Sequence, residues 1–276
     1  ASIDMSSKDL REAVGRAVTS LSVGDAVYFR GNDAMALADG GGSVSCVSGA
    51  HASHIVRRPD TSHGVAKVPP GASMEAAAMF VMPAVGLYGV DMANPRMGET
   101  VVVYGAGLIG LGVVAACAHR GCAVVAVDIN PAARALAAQF GADHAVDSAE
   151  AVQALCPDGA DVVFECTGIP ACLDPAIGLC RPLGKFVWQG NYGSAPVSLH
   201  FLPPHGKRLQ MFFPCDDGLQ PCRRAVVKNM ASGALPWEKA ITHRVAFGDA
   251  PELFERIHAG SDPSVLGAIL DWRQSA

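Results

Sequence analysis

Three glycines that follow an apolar run have the spacing of a loop that binds phosphate groups. The run Val101–Tyr104 predicts a buried strand. The chain continues directly as Gly-x-Gly-x-x-Gly, with the glycines at Gly105, Gly107 and Gly110. A helix is predicted over 108–119, so the loop joins a strand to a helix, which is the setting that the motif needs. Gly105 permits the tight turn, Gly107 lets a pyrophosphate approach the backbone, and Gly110 lets the helix pack close to the strand.

The residues around this loop indicate which ligand it holds. The free N–H groups at the start of the helix, around Leu108 and Ile109, are expected to face the phosphates of a dinucleotide. Asp128 ends the next strand, where a carboxylate accepts hydrogen bonds from both adenosine ribose hydroxyls and repels a 2′-phosphate. No Arg follows it directly, since the next residues are Ile129 and Asn130. The sequence therefore predicts NAD(H) as the cofactor, and we include Asn130 in its site.

Two alternatives for the segment Val101–Asp128 have to be weighed. The first is a packing turn followed by a surface Asp, but the order of strand, glycines, helix, strand and acid favours the cofactor. The second is a membrane span, because Val101–Ala118 is uncharged and long enough to cross a bilayer. Its closely spaced glycines weaken a long helix but suit a strand, a turn and a helix. We therefore predict no membrane segment.

Two more predicted strands end in small or polar residues that belong to the same site. Thr167 and Gly168 follow the strand 161–166, and Gln189 and Gly190 lie at the end of the strand 185–189. Ligands of open α/β sheets lie at the carboxyl ends of the strands, so all four residues are predicted to line the cofactor cleft, the second pair on the nicotinamide side. Ordinary turns at the ends of strands are the alternative for both pairs.

The elements that position these residues alternate regularly. Alternation of strands with helices predicts a parallel sheet with helices on both faces, here a Rossmann-type doubly wound fold. Further strands and helices are predicted from the same apolar patterns before and after this region.

A polar, Gly-rich loop is expected over 31–45, and a helix capped by Ser73 is expected to run to about Met92 with a break at Pro83. The predicted strands are 26–29, 51–57, 101–104, 123–127, 145–146, 161–166, 185–189, 209–213, 243–246 and 265–270; the other predicted helices are 108–119, 131–140, one from 149, 170–180, 219–232 and 251–259.

Composition excludes several classes of function. The formal net charge is −5 with the charges interspersed, so no basic patch predicts nucleic-acid binding. The 9 cysteines include no Cys-x-x-Cys pair and no disulfide framework, which favours a reducing, cytoplasmic location. Residues 1–11 lack the apolar centre of a signal peptide, so none is predicted.

Several stretches, in order along nearly the whole chain, resemble the medium-chain, zinc-type alcohol and polyol dehydrogenases. They are Ala13–Gly15 leading to Val23–Val27, Gly105–Gly110, Val127–Phe140 with the following 141–143, Asp161–Gly168 and Ile241–Arg244. The resemblance implies an NAD-binding Rossmann domain over 81–239 and a partial GroES-like catalytic β-barrel over 1–80, to which 240–276 return. It implies hydride transfer between nicotinamide and a small alcohol, polyol or ketone, by a homodimer or homotetramer.

The zinc ligands of that family are missing from the matching positions. Only about two dozen residues precede Val23, and they contain no counterpart of the family's first Cys and its His-Glu pair. The remaining ligand position falls at Val81–Met82, and the region of the four-Cys structural zinc lobe holds only Cys46. His51 and His54 would lie on opposite faces of a strand. The residues therefore predict no zinc site.

No catalytic residue can be assigned from the sequence. Cys166 ends a strand and is more consistent with a core position than with a nucleophile. Tyr88 and His205 could border the substrate cleft, but a role in proton transfer requires geometry. The leading hypothesis is an NAD-dependent oxidoreductase, and the alternative is a truncated or non-catalytic NAD-binding protein.

Overall fold

The computed structural model describes residues 2–6, 14, 16–30, 32–36, 43–46, 57 and 64–272. Among these residues, no helix combines the length and the apolar character that a membrane span requires. In chain order the strands and helices are β1 (Ser2–Ser6), β2 (Val27–Phe29), β3 (Asn32–Ala36), β4 (Ser43–Cys46), β5 (Val65–Lys67), α1 (Met74–Ala78), α2 (Val81–Ala93), β6 (Thr100–Tyr104), α3 (Leu108–His119), β7 (Ala123–Val127), α4 (Pro131–Gln139), β8 (His144–Val146), α5 (Ala149–Leu155), β9 (Ala160–Glu165), α6 (Leu173–Gly178), β10 (Cys180–Trp188), α7 (Leu202–Lys207), β11 (Gln210–Phe212), α8 (Leu219–Ala231), β12 (Ile241–Ala246), α9 (Ala250–Ala259) and β13 (Gly267–Asp271).

The chain folds into two compact units. Residues 1–81 and 219–276 form the first, and residues 82–218 form the second. The sequence prediction had assigned 219–239 to the cofactor domain. In the structure α8 belongs to the first unit, where Val226, Val227 and Met230 are buried and the helix packs with α1.

The second unit is built on a six-stranded sheet in the order β11-β10-β9-β6-β7-β8. All neighbouring strands in it are parallel. The chain leaves β6 toward β7 on one side and later returns to place β9 on the other side of β6. This is the switch in strand order beside which open α/β sheets bind their ligands, at the carboxyl ends of the strands.

Both faces of the central strands are covered. Val101, Val102 and Val103 are successive residues of β6, and all three are fully buried. Because successive side chains of a strand point to opposite faces, only a sheet with helices on both faces buries all three. On one face Val102 packs in a core with Val163 of β9. The sequence run without charges is thus a buried parallel strand followed by a buried helix.

The first unit contains the remaining strands. β1, β13 and β12 form a parallel sheet, while β2 pairs with β5 and β3 pairs with β4, both antiparallel. The prediction of a polar loop over 31–45 was wrong, because Asn32 pairs with Cys46 and Ala36 pairs with Ser43. The glycines 40–42 fall between the paired strands, outside the described residues. The predicted strand 51–57 also lies outside them, except for Arg57.

The helix that begins after Ser73 is interrupted earlier than the sequence suggested. Ser73 caps α1 as predicted, its Oγ accepting a hydrogen bond from the N–H of Ala76 at 3.1 Å. The break falls at Met79 and Phe80 rather than at Pro83. Pro83 instead lies in the first turn of α2, where a residue without an N–H breaks no helical hydrogen bond.

Two other elements differ from their predictions. The predicted helix 170–180 is a 3-10 turn at Pro170–Cys172 followed by α6, and β10 begins at Cys180, with an irregular register before Lys185. The helix α7 forms between the predicted strands 185–189 and 209–213, where the sequence predicted no helix. Its prolines occupy the first turn, where they are tolerated, and the chain leaves it through Arg208 in a left-handed conformation (φ +55°).

Candidate functional site

The loop after β6 has the backbone geometry that its three glycines allow. Gly105 adopts φ +100°, and its N–H donates to the carbonyl of Val127 at 2.7 Å. A Cβ placed on Gly107 would meet no atom within 4 Å, so this position is open. A Cβ on Gly110 would lie 1.9 Å from the carbonyl oxygen of Gly105, so only glycine lets α3 pack this closely to the loop.

The start of α3 offers unused donors beside the open position. Gly107 is the N-cap residue, and the N–H of Leu111 makes a helical bond to the Gly107 carbonyl at 2.8 Å. The N–H groups of Leu108, Ile109 and Gly110 belong to the first turn, which has no helical acceptors for them. The α3 N-terminus also carries the positive end of the helix dipole, so this edge suits an anion such as a pyrophosphate.

Asp128 joins the loop to the end of β7. Its Oδ2 accepts a hydrogen bond from the N–H of Ala106 at 2.8 Å, and its Oδ1 accepts one from the N–H of Asn130 at 2.8 Å. The side chain is half-buried, and a carboxylate offers about four acceptor positions, so these two bonds leave acceptor capacity for ribose hydroxyls. The Oδ1 of Asn130 accepts from the N–H of Ala132 at 2.9 Å and thereby caps α4.

An arginine lies near this carboxylate although it does not follow it in sequence. Nη1 of Arg134 donates to the carbonyl of Asp128 at 2.7 Å and to the carbonyl of Ile129 at 3.1 Å. The guanidinium is therefore bound to the backbone beside Asp128. Sequence reasoning missed this residue because only the next turn of α4 brings its side chain back to the strand end.

Thr167 and Gly168 form the turn after β9, beside the glycine loop. A Cβ on Gly105 would lie 2.8 Å from Cγ2 of Thr167, so the methyl group of Thr167 rests against the loop. The Thr167 hydroxyl accepts a hydrogen bond from the N–H of Ile169 at 3.0 Å and donates to Glu165. Gly168 has φ +67°, and a Cβ there would lie 2.6 Å from the carbonyl oxygen of Asn191.

Glu165, which the sequence did not single out, is the polar centre of this edge. Its side chain is fully buried. Oε1 accepts from the N–H of Thr167 at 2.9 Å and from the Thr167 hydroxyl, and Oε2 accepts from the N–H of Gly168 at 3.2 Å and from the hydroxyl of Tyr192. Burial, and then the hydrogen bond to Glu165, raises the pKa of Tyr192. The available indication was a second acid in the predicted strand 161–166, two positions before the Thr-Gly turn.

The predicted pair at the end of β10 divides into two roles. Gly190 lies against the β9 turn, since a Cβ there would be 2.4 Å from the backbone nitrogen of Gly168. The side chain of Gln189 is buried and points to α2, where Nε2 donates to the carbonyl of Val85 at 3.2 Å. A Cβ on Gly89 would lie 1.9 Å from Oε1 of Gln189, so this glycine lets α2 approach the amide.

The structure therefore brings most predicted site residues together at the carboxyl ends of the strands. Asp128 contacts the glycine loop, Thr167 packs on the same loop, and Gly168 packs against Gly190. The two candidates for the substrate cleft lie on helices of the same unit. Tyr88 is half-buried on α2, and His205 is exposed on α7 with its ring stacked on Phe201 at 4.9 Å.

The residues that the structure describes do not provide a metal-binding set. In the part of the chain that the structure describes, no three His, Cys, Asp or Glu side chains lie close enough together to hold an ion. Val81 and Met82 occupy the ligand position that the resemblance pointed to. Burial raises the pKa of Cys166 well above its usual value, which disfavours the thiolate that binds metals. His51 and His54 lie outside the described residues.

Comparison with known proteins identifies the class. Residues 109–231 match the family model described as zinc-binding dehydrogenase. Sorbitol dehydrogenase 1 of Saccharomyces cerevisiae is 33% identical over 206 residues, which cover 68% of this chain and 56% of that protein. The chain belongs to the zinc-type medium-chain dehydrogenase superfamily. The erythritol/L-threitol dehydrogenase of Mycolicibacterium smegmatis is 31% identical to this dehydrogenase-family chain over 229 residues, 80% of the chain and 62% of the relative. The chain thus spans less than two thirds of the length of these relatives.

Solved structures confirm the predicted fold class of this dehydrogenase-family chain. Galactitol-1-phosphate dehydrogenase from Escherichia coli has a TM-score of 0.76 at 22% identity, covering 91% of this chain and 79% of its own. A zinc-binding dehydrogenase from Sinorhizobium meliloti 1021, solved with NADP, has a TM-score of 0.76 at 21% identity, covering 95% and 80%. The architecture is a Rossmann-type doubly wound sheet joined to part of a GroES-like β-barrel.

Proposed function

We propose that this chain is an NAD-dependent oxidoreductase that transfers a hydride between nicotinamide and a small alcohol, polyol or ketone. The observation that carries the proposal is the open Gly107 position, which lies at the N-terminus of α3 and beside a carboxylate at the end of β7. The superfamily supports it, and relatives named sorbitol dehydrogenase and D-xylulose reductase support a polyol or its ketone as substrate.

The residues of the edge fit each part of a dinucleotide. The pyrophosphate would lie over Gly107 and accept hydrogen bonds from the N–H groups of Leu108 and Ile109. The adenosine ribose would donate to Asp128, whose two recorded bonds leave acceptor positions free. Asn130 would contribute indirectly, through its hydrogen bond to Asp128 and its capping of α4.

The nicotinamide end would lie toward the ends of β9 and β10. Thr167, Gly168 and Gly190 would form its wall, and the buried Gln189 would hold α2 behind it. When bound, the nicotinamide supplies hydride transfer at its C4 position. The protein's part is to bind, to orient that carbon toward the substrate and to exclude water.

We propose NAD(H) over NADP(H) because Asp128 would repel a 2′-phosphate. Arg134 is the feature that opposes this choice, because an arginine near the ribose can accept that phosphate. Its Nη1 is already bound to two backbone carbonyls, which holds the guanidinium in place. Structural relatives include one solved with NADP and one with NADH, so the fold accommodates both cofactors.

The second candidate function is NAD(H) binding without turnover. One observation favours it: no metal-binding set is found in the described residues. A piece of a longer dehydrogenase would behave in the same way.

Two experiments on the purified chain separate these candidates. Calorimetry with NADH and NADPH tests the cofactor site, and NAD⁺ reduction with a panel of secondary alcohols and polyols tests catalysis. Binding with turnover supports the oxidoreductase, and binding without turnover supports the second candidate. Failure to bind either dinucleotide would contradict both.

Location and assembly are further proposals. Eight described cysteines, among them Cys166 and Cys180, are free of disulfides, which is consistent with a reducing cytoplasm. The family resemblance favours a homodimer or homotetramer, which sedimentation would measure.

A further inference from the structure

A fully buried carboxylate lies at the centre of the proposed cofactor site. Glu165 closes β9, the strand that lies between β6 and β10 in the sheet. Burying a charged group is costly unless hydrogen bonds replace its lost hydration. Four donors do so here: the N–H and hydroxyl of Thr167, the N–H of Gly168 and the hydroxyl of Tyr192.

These donors come from two parts of the cleft, the turn after β9 and the segment after β10. Thr167 packs its methyl group on the glycine loop at Gly105, so holding Thr167 also braces that loop. Gly168 lies against the backbone of Gly190 at the end of β10. Tyr192 belongs to the segment after β10, in which its ring also packs edge-on against Trp188 at 5.6 Å. One carboxylate therefore fixes the relative positions of the ends of β6, β9 and β10.

The hydrogen-bond pattern requires a side chain that accepts hydrogen bonds and donates none. Two donors converge on each oxygen of Glu165, which fills the roughly four acceptor positions of a carboxylate. An amide cannot replace it, because its NH₂ group would face two donors in either orientation. The raised pKa of Tyr192 keeps that hydroxyl protonated and able to donate.

We propose that Glu165 is a positioning residue of the cofactor site, acting through Thr167, Gly168 and Tyr192 to set the shape that binds the dinucleotide. The inference rests on the proposed function, because it assigns a role within that site. Glu165 does not contact the cofactor in this account. Its four donors also leave it no free position from which to exchange a proton with a substrate.

The test compares Tyr192→Phe and Glu165→Gln with Asp161→Asn. Asp161 is a matched control, because it is also on β9 but at the opposite end, where it accepts from the N–H of Thr100 at 2.8 Å and pairs with Arg181 at 2.6 Å. We expect Tyr192→Phe to weaken NADH binding about three- to tenfold and Glu165→Gln to weaken it more. Asp161→Asn should lower the Tm with an unchanged Kd.

Amide hydrogen exchange of the cofactor-free chain is the second readout. Tyr192→Phe should speed exchange of the Thr167 and Gly168 amides, and Asp161→Asn should not. The Tyr192→Phe variant keeps the test decisive even if Glu165→Gln does not fold. Two results would overturn this inference without affecting the proposed function. The first is an unchanged Kd for NADH in Tyr192→Phe, and the second is a loss of NADH affinity that only parallels the loss of Tm across all three variants. A wild-type chain that binds no dinucleotide would instead overturn the proposed function, and this inference with it.

Discussion

The Oδ2 atom of Asp128 accepts a hydrogen bond from the backbone N–H of Ala106 across 2.8 Å. The acid at the end of β7 thus supports the same loop whose glycines leave room for phosphate. One side chain both holds the loop and faces the proposed ribose position. Substituting it therefore tests cofactor choice directly.

Asp128→Asn should change cofactor preference. The neutral amide removes the repulsion of a 2′-phosphate and weakens the bonds to the ribose, so NADH affinity should fall about tenfold while the ratio of NADPH to NADH affinity rises. Calorimetry with both cofactors measures the change. Asp143→Asn is the control, because Asp143 accepts from the N–H of Val124 at 2.8 Å at the start of β7. Equal preference in wild type and Asp128→Asn would contradict the assignment.

Gly107→Ala should impair cofactor binding, whereas Gly110→Ala should impair stability. A methyl group at Gly107 meets no protein atom, so Tm should be nearly unchanged while NADH binding weakens tenfold or more, on the order of 1.4 kcal/mol. A methyl group at Gly110 collides with the Gly105 carbonyl and should cost about 1–3 kcal/mol of unfolding free energy. Denaturation and calorimetry measure the two effects. Gly178→Ala, at another open position, should change neither; a stable Gly107→Ala that binds NADH normally would refute this account of the loop.

Asn130 should act mainly as a helix cap. Asn130→Ala removes the acceptor for the N–H of Ala132 and should cost about 1 kcal/mol of stability, whereas Asn130→Ser keeps a capping oxygen and should cost much less. Urea denaturation measures both. Because the bond from its backbone N–H to Asp128 survives both changes, NADH affinity should change less than twofold. A large loss of affinity in the serine variant would instead indicate direct contact with the cofactor.

Zinc should not copurify stoichiometrically with this chain. The family ligand position carries Val81 and Met82, and the residues that the structure describes contain no alternative donor set. Metal analysis after gel filtration is expected to find well below one zinc per chain, and a chelator should leave NADH binding unchanged. One tightly held zinc per chain would show that the ligand position has been assigned to the wrong residues.

Local sequence patterns predicted the central part of this molecule well. The bounds of α3 and β7 agree with their predictions, because each element has a continuous apolar pattern and a clear start. The glycine loop was also predictable, since its conformation depends on residues that are adjacent in sequence. The cap of α4 by Asn130 followed from the same kind of local rule.

The features that could not be predicted from the sequence depend on residues that are distant in sequence and that the fold brings together. Glu165 and Tyr192 are 27 positions apart, and only the parallel pairing of β9 with β10 makes them partners. The inward direction of Gln189 is set by α2, more than a hundred positions earlier. In the first unit, the pairing of β3 with β4 overrides a polar composition that suggested a loop.

The contact between Gly168 and Gly190 has a consequence for how this protein can evolve. Any side chain at Gly190 would strike the backbone of Gly168, and a side chain at Gly168 would strike that of Asn191. Neither strand end can gain atoms unless the other moves, and movement would alter the buried cluster around Glu165. The two glycines are therefore coupled: a larger residue at either position should displace both strand ends, so neither glycine can be replaced independently of the other.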